Sequence, residues 1–459
     1  MANVDKFDEN SNTPRILLSS FIFDKISIFL HCQFMQSFSD QHIAVIGGGA
    51  AGFFGAIACA QALPDAKVTI YEQSTKLLSK VAISGGGRCN VTHACFDINL
   101  LVKNYPRGEK QLKSVFSKFS PTETVAWFKN RNVKLKTEDD GRMFPITDSS
   151  ETIIKCLIQE AKDLNINISF QKDVSSVRKK YDDTFELTFS DGTSELVSKI
   201  LVATGGHPTM AGFKWLADLK HQIIPPVPSL FTFNIDNKDL NELTGIAVPM
   251  VQMKVQNTSY KSEGPLLITH FGFSGPATLK LSSMACRTMA ESDYQNTIIV
   301  TWISQHNEMQ IRNHIAMHKA NEPKKSIYAH NPWNLPNRLW VYLLQKAVIV
   351  QGTQWANVSK EQVNKLVNVL IADSYQTKGK NTFKEEFVTS GGVSLENIDF
   401  KNMQSKKCKG LFFAGEVLDI DAFTGGFNFQ AAWATGFVAG QGIANAIIAH
   451  YSAETKNSE

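Results

Sequence analysis

The sequence predicts an α/β protein in which a parallel-sheet domain is interrupted by a β-rich domain that itself carries a helical insert. Three observations lead there. Residues His42 to Glu72 read as strand, glycine turn, helix and strand; that alternating pattern stops after Gly206; and the same style of sequence returns from Glu386 to His450. The boundaries follow as 42–206 with 386–450 for the parallel-sheet domain, 207–303 with 374–385 for the β-rich domain and 304–373 for the helical insert. Residues 451–459 form a tail.

The first unit is HIAVIGGGAAGFFGAIACAQALPDAKVTIYE. Ile43, Val45 and Ile46 make the short apolar run of a buried parallel strand. Gly47, Gly49 and Gly52 complete G-x-G-x-x-G: the first glycine permits the turn, the second lets a pyrophosphate approach the backbone, and the third lets the helix pack close to its strand. A helix from about Ala50 to Leu63 would aim its free N–H groups and positive dipole end at phosphate. Pro64 and Asp65 stop it. Lys67 to Tyr71 form the next strand, and Glu72 ends it at the spacing where an acidic side chain accepts hydrogen bonds from a ribose diol. Together these features predict a bound adenine dinucleotide.

Composition narrows the class. With 459 residues, 43% hydrophobic and 20% charged, the chain is an ordinary globular protein of two or three domains, and a net charge of +4 is too slight to argue for nucleic acid or a membrane surface. The seven cysteines are scattered without a C-x-x-C, which suits a reducing cytoplasm and leaves no redox dithiol. No cysteine–histidine cluster has zinc spacing, and no metal site is expected. Residues 1–41 read as an extension outside the fold, disordered or not native. Within it Ile16–Met35 is apolar, but Asp24 and Lys25 interrupt it and no cleavage site follows, so neither export nor membrane insertion is expected. Met35 is a candidate natural start.

Further along, Ser84 to Asn90 (SGGGRCN) reads as a loop rich in exposed backbone donors that can lie against a flat ring or a phosphate. Ser120–Glu123 is a capping box with proline at the first helical position, and Asp148–Glu151 opens a second helix. The carboxylates between them, Glu138 to Asp140, read as a solvated turn. From Ile166 to Gly206 the period becomes two, and a β-meander ends in Ala203-Thr204-Gly205-Gly206. Pro225 to Pro228 marks a boundary. Ser229–Asn257 is strand-like, and His270 precedes a glycine turn and a helix; it is a candidate proton donor or an ordinary hydrogen-bonded histidine. Ser359-x-x-Gln362 caps a helix whose Val363, Leu366, Val367, Leu370 and Ile371 form one apolar stripe, with Trp333, Trp340 and Trp355 as packing residues nearby. FVTSGG ends a strand at paired glycines, GLFFAGE is a buried strand running into a turn, and Phe429–Ala449 is a long helix rich in alanine and glycine.

GGGAAG, ISGGGRCNVTH, VATGG, LLITHFGFSGP, VTSGGV and AGEVLDIDAFTGGFNFQAAWATG, in this order from Gln41 to His450, resemble the BaiN-like (YhiN-type) bacterial flavoproteins, some of them aminoacetone-oxidase-like. The resemblance implies FAD on a glutathione-reductase-like domain. It implies that Gly47, Gly49 and Gly52 hold the pyrophosphate and Glu72 the adenosine ribose, and that Ser84, Gly85, Gly86, Gly87, Arg88, Cys89 and Asn90 lie along the flavin side. Gly415 and Glu416 would meet the ribityl chain, glutamate standing where many FAD enzymes have aspartate. Gly425, Gly426, Phe427 and Asn428 would bring a helix N-terminus to the pyrimidine end of the flavin, where reduction places negative charge. The cofactor-binding set further includes Ala50, Ala51, Gln73, Lys80, Val174, Ala203, Thr204 and Gly205.

These expectations add up to a cytoplasmic flavin-dependent oxidoreductase that moves hydride between flavin N5 and a small organic substrate lying between the cofactor and the inserted domain. His270, Arg88, Asp419 and Asp421 are the candidates for proton transfer or substrate orientation. No second G-x-G-x-x-G is present, so NADH or NADPH as electron donor would dock without its own motif. An oxygen-using amine-type oxidase, an FAD-dependent tRNA-modifying enzyme, a membrane-associated dehydrogenase and a non-catalytic FAD-binding regulator are the alternatives. The basic clusters Arg178–Lys180 and Lys406–Lys407 lack interleaved aromatics, so no nucleic-acid partner is expected.

Overall fold

The computed structural model describes residues 39–380 and 388–457. The apolar stretch Ile16–Met35, the proposed start at Met35, and the parts of the boundaries above that fall on 381–387 and 458–459 lie outside the described residues.

The chain opens with strand β1 (His42–Ile46), helix α1 (Ala50–Ala62) and strand β2 (Lys67–Glu72), followed by a kinked helix α2 (Ser79–Gly87). Ser84 to Gly86 leave helical geometry, so SGGGRCN is the bent end of a helix rather than an open loop. Strands β3 (Asn167–Phe170) and β4 (Lys199–Val202) complete the first pass through the sheet. The main sheet is parallel in the order β4-β1-β2-β3, and the register sets Ile46 opposite both Tyr71 and Val202. Successive strands thus diverge to either side of β1, which leaves a crevice at its carboxyl end. Burial on both faces accounts for the apolar run Ile43–Ile46 in β1. The meander of Val174–Lys179, Phe185–Phe189 and Ser194–Val197 forms a separate antiparallel sheet.

The proline run expected to mark a boundary lies inside a strand, β5 (Ile223–Ser229). It tolerates prolines because it is one of only two strands in its sheet and slips register between Ile224 and Val227. Beyond it, six antiparallel strands close into a barrel, from Phe233–Ile235 to Asp373–Lys380, and closure leaves no free edge. Between the last two barrel strands come α3 (Glu308–Asn321) and the helices Asn337–Lys346 and Lys360–Ala372. Ser359 and Gln362 make the expected capping box, and Leu366, Val367 and Leu370 are fully buried. Trp340 and Trp355 are buried in the same core.

The chain then returns through β6 (Val388–Val393), which pairs antiparallel with β5 and includes Gly391 and Gly392 rather than ending at them. Strand β7 (Leu411–Phe413) adds parallel to the outer side of β4, and α4 (Phe427–Asn457) closes the fold. Helices α1 and α4 nearly touch: a Cβ at Gly436 would lie 2.5 Å from the Ala51 carbonyl oxygen. Phe54 packs beside Trp433 (4.7 Å between ring centres) and Trp127 (4.6 Å). One core thus unites the sheet with α1 and α4, and a second unites the barrel with the inserted helices. Among the described residues, no helix is long and apolar enough to cross a membrane.

Candidate active site

A cleft of about 660 Å³ opens at the carboxyl ends of β1, β4 and β7. Of the residues expected there, Gly47, Gly49, Ala50, Ala51, Glu72, Gln73, Lys80, Ser84, Gly85, Gly86, Ala203, Thr204, Gly205, Gly415, Glu416 and Asn428 line it. Glycine and alanine are prominent in its lining, beside longer side chains such as Glu72, Lys80 and Glu416. Gly47 has φ 110°, a conformation closed to residues with a Cβ, and its N–H donates to Tyr71 O at 2.8 Å. The first turn of α1 has no side-chain cap and no acidic residue, so its N–H groups are free to receive an anion. Glu72 accepts from the Gly48 N–H (2.9 Å) and the Ser74 N–H (2.8 Å), which orients the carboxylate and leaves lone pairs for a diol. On the facing wall, Glu416 pairs with Lys80 (2.6 Å) and accepts from the Thr389 N–H (2.7 Å).

The residues present fit FAD. A Cβ built at Gly49, Gly86 or Gly205 meets nothing within 4 Å, so side chains at these lining positions would project into the open cleft. Gly48, Ile420, Phe429, Ala431 and Ala432 also line the cleft and were missed from the sequence. Asn428, Ala431 and Ala432 share one face of α4 at helical spacing, which is the signal that would have found the last two.

The other expected cofactor residues do not line the cleft; Gly87 ends the kinked helix α2 just beyond the lining run Ser84–Gly86, and most of the rest have a local reason. A Cβ at Gly52 would strike the Gly47 carbonyl, so this glycine serves the packing of α1. Val174 opens the first strand of the three-stranded meander, with its side chain buried in the core. Cys89 is buried, and burial pushes its thiol up to about 12, so it is no thiolate at neutral pH. Asn90 accepts from the Gly426 N–H (2.9 Å) and donates to Thr92 O (3.1 Å), tying the bend after Gly87 to the turn at Gly425 and Gly426. Phe427 stacks on His93 (4.5 Å between ring centres), whose Nδ1 lies 3.0 Å from Gly425 O, and the buried Tyr105 hydroxyl donates to Phe427 O (2.7 Å). These residues fasten the N-terminus of α4 in place from behind.

None of the four catalytic candidates lines the cleft. His270 is exposed at the barrel turn, packed on Phe271 at 3.9 Å between ring centres. Arg88 lies over the Phe144 ring (4.0 Å) and donates to Glu138 (2.6 Å), so the segment read as a solvated turn is an ion-pair partner. Asp419 pairs with Arg287. Asp421 is fully buried, holds Arg107 through both oxygens and accepts from the Ser229 hydroxyl at 2.7 Å. Arg107 also donates to Ser283 O (2.7 Å), so this cluster joins the sheet side of the molecule to the barrel side. Burial pushes the Asp421 carboxyl up from its ordinary value, against the pull of Arg107 and Ser229.

Comparison with known proteins places the chain in a family. The profile of the HI0933-like protein Rossmann domain matches residues 41–442. A Haemophilus influenzae protein named ribosomal RNA dihydrouridine synthase is 28% identical over 404 residues, 86% of this chain and 96% of its own. The 3-dehydro-bile acid delta(4,6)-reductase of Clostridium scindens is 24% identical over 410 residues, 88% of this chain and 98% of its own. Among solved structures, the 3-ketosteroid-delta4-(5alpha)-dehydrogenase of Rhodococcus jostii RHA1 is 14% identical with a TM-score of 0.47, covering 88% of this chain and 97% of that one. With one profile running from the first strand into the last helix, the chain belongs to the HI0933-like Rossmann-domain family, a family of flavin-dependent oxidoreductases.

Proposed function

We propose that this chain is an FAD-dependent reductase that saturates a carbon–carbon double bond conjugated to a carbonyl group. The observation that carries this reading is a cleft lined by the glycine turn and first residues of α1 and by the start of α4, in a chain whose two relatives named above make the same kind of bond change. Forming dihydrouridine from uridine and reducing a Δ4,6 3-oxo steroid both add hydrogen across such a bond. When bound and first reduced by a two-electron donor such as NADH or NADPH, FAD would supply the hydride, with the second hydrogen arriving as a proton from solvent. The first turn of α1 would bind the pyrophosphate, Glu72 would hold the ribose hydroxyls, and the N-terminus of α4 would stabilise negative charge on the flavin's pyrimidine edge. Glu416, held by Lys80 and the Thr389 N–H, would orient the ribityl chain. Asp421 and Arg107 would fasten the barrel side to the sheet side rather than exchange protons with substrate, since neither lines the cleft and each is the other's ion-pair partner.

The test is anaerobic reduction of the holoprotein by NADH or NADPH, followed by addition of a ribosomal RNA fragment or of a 3-oxo-Δ4 steroid. Flavin reoxidation with appearance of dihydrouridine or of the saturated steroid names the substrate and supports the reading. If neither substrate reoxidises the flavin, and admitting air does so with amine turnover and peroxide release, the oxidase reading replaces it. The RNA arm is a demanding one, because the basic cluster at Arg178–Lys180 is paired with Glu186 and Asp183.

A further inference from the structure

The helical insert brings together three side chains that look unrelated in the sequence. His318 lies in the last turn of α3, and Glu322 caps that helix four residues on, so both stand on one face. His330 comes from the following turn, which is pinned by backbone bonds. Ile327 N–H donates to Thr353 O, Trp355 N–H to Lys325 O and Ala356 N–H to Pro323 O, each at 3.0 Å, and His330 N–H donates to Ser326 O at 3.2 Å. Packing orients the rings as well. The buried Trp355 stacks on His318 (5.3 Å between ring centres, 27°) and meets His330 at 6.5 Å and 80°.

Glu322 Oε2 lies 3.4 Å from His318 Nδ1 and 3.0 Å from His330 Nδ1. One ligand atom from each residue lies within 4.8 Å of the other two. A tetrahedral ion with bonds of about 2.0–2.1 Å needs ligand atoms roughly 3.3–3.4 Å apart, so the carboxylate-to-ring spacings are within a few tenths of an ångström of a coordination edge. Lys325 holds the other carboxylate oxygen at 2.9 Å, which leaves Oε2 turned toward the rings. His330 Nδ1 is buried and makes no aligned hydrogen bond among the described residues, although Oε2 is close. A cation between the two atoms satisfies both. Two imidazoles and one carboxylate select a borderline divalent ion over magnesium or calcium, and side chains 24%, 27% and 31% exposed admit a solvent ligand at the fourth position.

We propose that His318, Glu322 and His330 bind one zinc-like divalent ion, which clips the turn after α3 to its helix and stabilises the insert. The cleft draws none of its lining from this insert, so the site stands apart from flavin chemistry. The test uses the full-length flavin-loaded protein, stripped of metal by a chelator and titrated with Zn²⁺ by calorimetry and with Co²⁺ by visible spectroscopy. One ion per chain, cobalt bands of a four-coordinate site on the red side of the flavin absorption, and a higher melting temperature with Zn²⁺ are expected. His330→Gln and Glu322→Gln, which retain polar groups of similar size, should each weaken Zn²⁺ binding by about a hundredfold or more with unchanged flavin content. Absence of uptake at micromolar Zn²⁺, or uptake that both variants leave unaltered, overturns the assignment.

Discussion

Around the cleft, the chain presents peptide groups and small residues drawn from short consecutive runs: Gly47 to Ala51, Ser84 to Gly86, Ala203 to Gly205. At the seam with the barrel, the contact rests on the side chains of Arg107, Ser229 and Asp421 with the Ser283 carbonyl, four positions spread over more than three hundred residues. The first kind of site is specified by local spacing, because a turn and a helix start are local events. The second exists only after the chain has folded. A substitution in the cleft should therefore cost binding with little loss of stability, and one at the seam should do the reverse.

The strongest way to break this contrast is Asp421→Ala, which leaves the Arg107 guanidinium buried without its counter-charge. A loss of about 3–5 kcal/mol is expected in chemical denaturation. A loss below about 1 kcal/mol would show that the seam is not built on this pair. Gly52→Val should come next, at about 3 kcal/mol, because its Cβ would strike the Gly47 carbonyl; a normally stable Gly52→Val protein would move Gly52 from packing back to ligand contact. Gly49→Leu sharpens the other side of the comparison. With open space at its Cβ, stability should change by no more than about 0.5 kcal/mol while FAD affinity, followed through the flavin-to-protein absorbance ratio, falls at least tenfold, which is roughly 1.4 kcal/mol. The smallest effect concerns acid. His221 is buried between Leu216 O (3.1 Å) and the Ser405 hydroxyl (2.8 Å), and burial lowers its pKa from 6.5. The unfolded chain then takes up the proton first, so this contribution is whole above about pH 6.5 and is lost as pH falls below it. His221→Asn should flatten the acid limb of a stability–pH profile by about 1 kcal/mol or less.

The same contrast explains what could be read in advance. β1, α1 and β2 were legible because period, glycine spacing and the terminal acid all lie within one short stretch. The return of the sheet at GLFFAGE was legible for the same reason. The closed barrel was not, since alternation of apolar residues marks a strand without naming its partners. Val174 has the alternation of a half-buried strand, yet its sheet lies away from the cleft. Asp419 and Asp421 stood out as candidates for proton transfer or substrate orientation, but their partners Arg287 and Arg107 are distant in sequence and carry no shared motif. His318 and Glu322 have helical spacing in plain view, whereas His330 joins them through a turn fixed by residues 353–356.

The glycine-backed fit of α1 against α4 has a consequence for biosynthesis. As the polypeptide leaves the ribosome, α1 and the outer edge of β4 emerge long before their partners α4 and β7. The barrel and its helices are complete within the intervening stretch and can close while the earlier half is still waiting, with an apolar helix face and a strand edge uncovered. Gly415, Glu416 and Asn428 also follow the barrel in the chain, so the cleft they line can be complete only after the barrel has passed out of the exit tunnel.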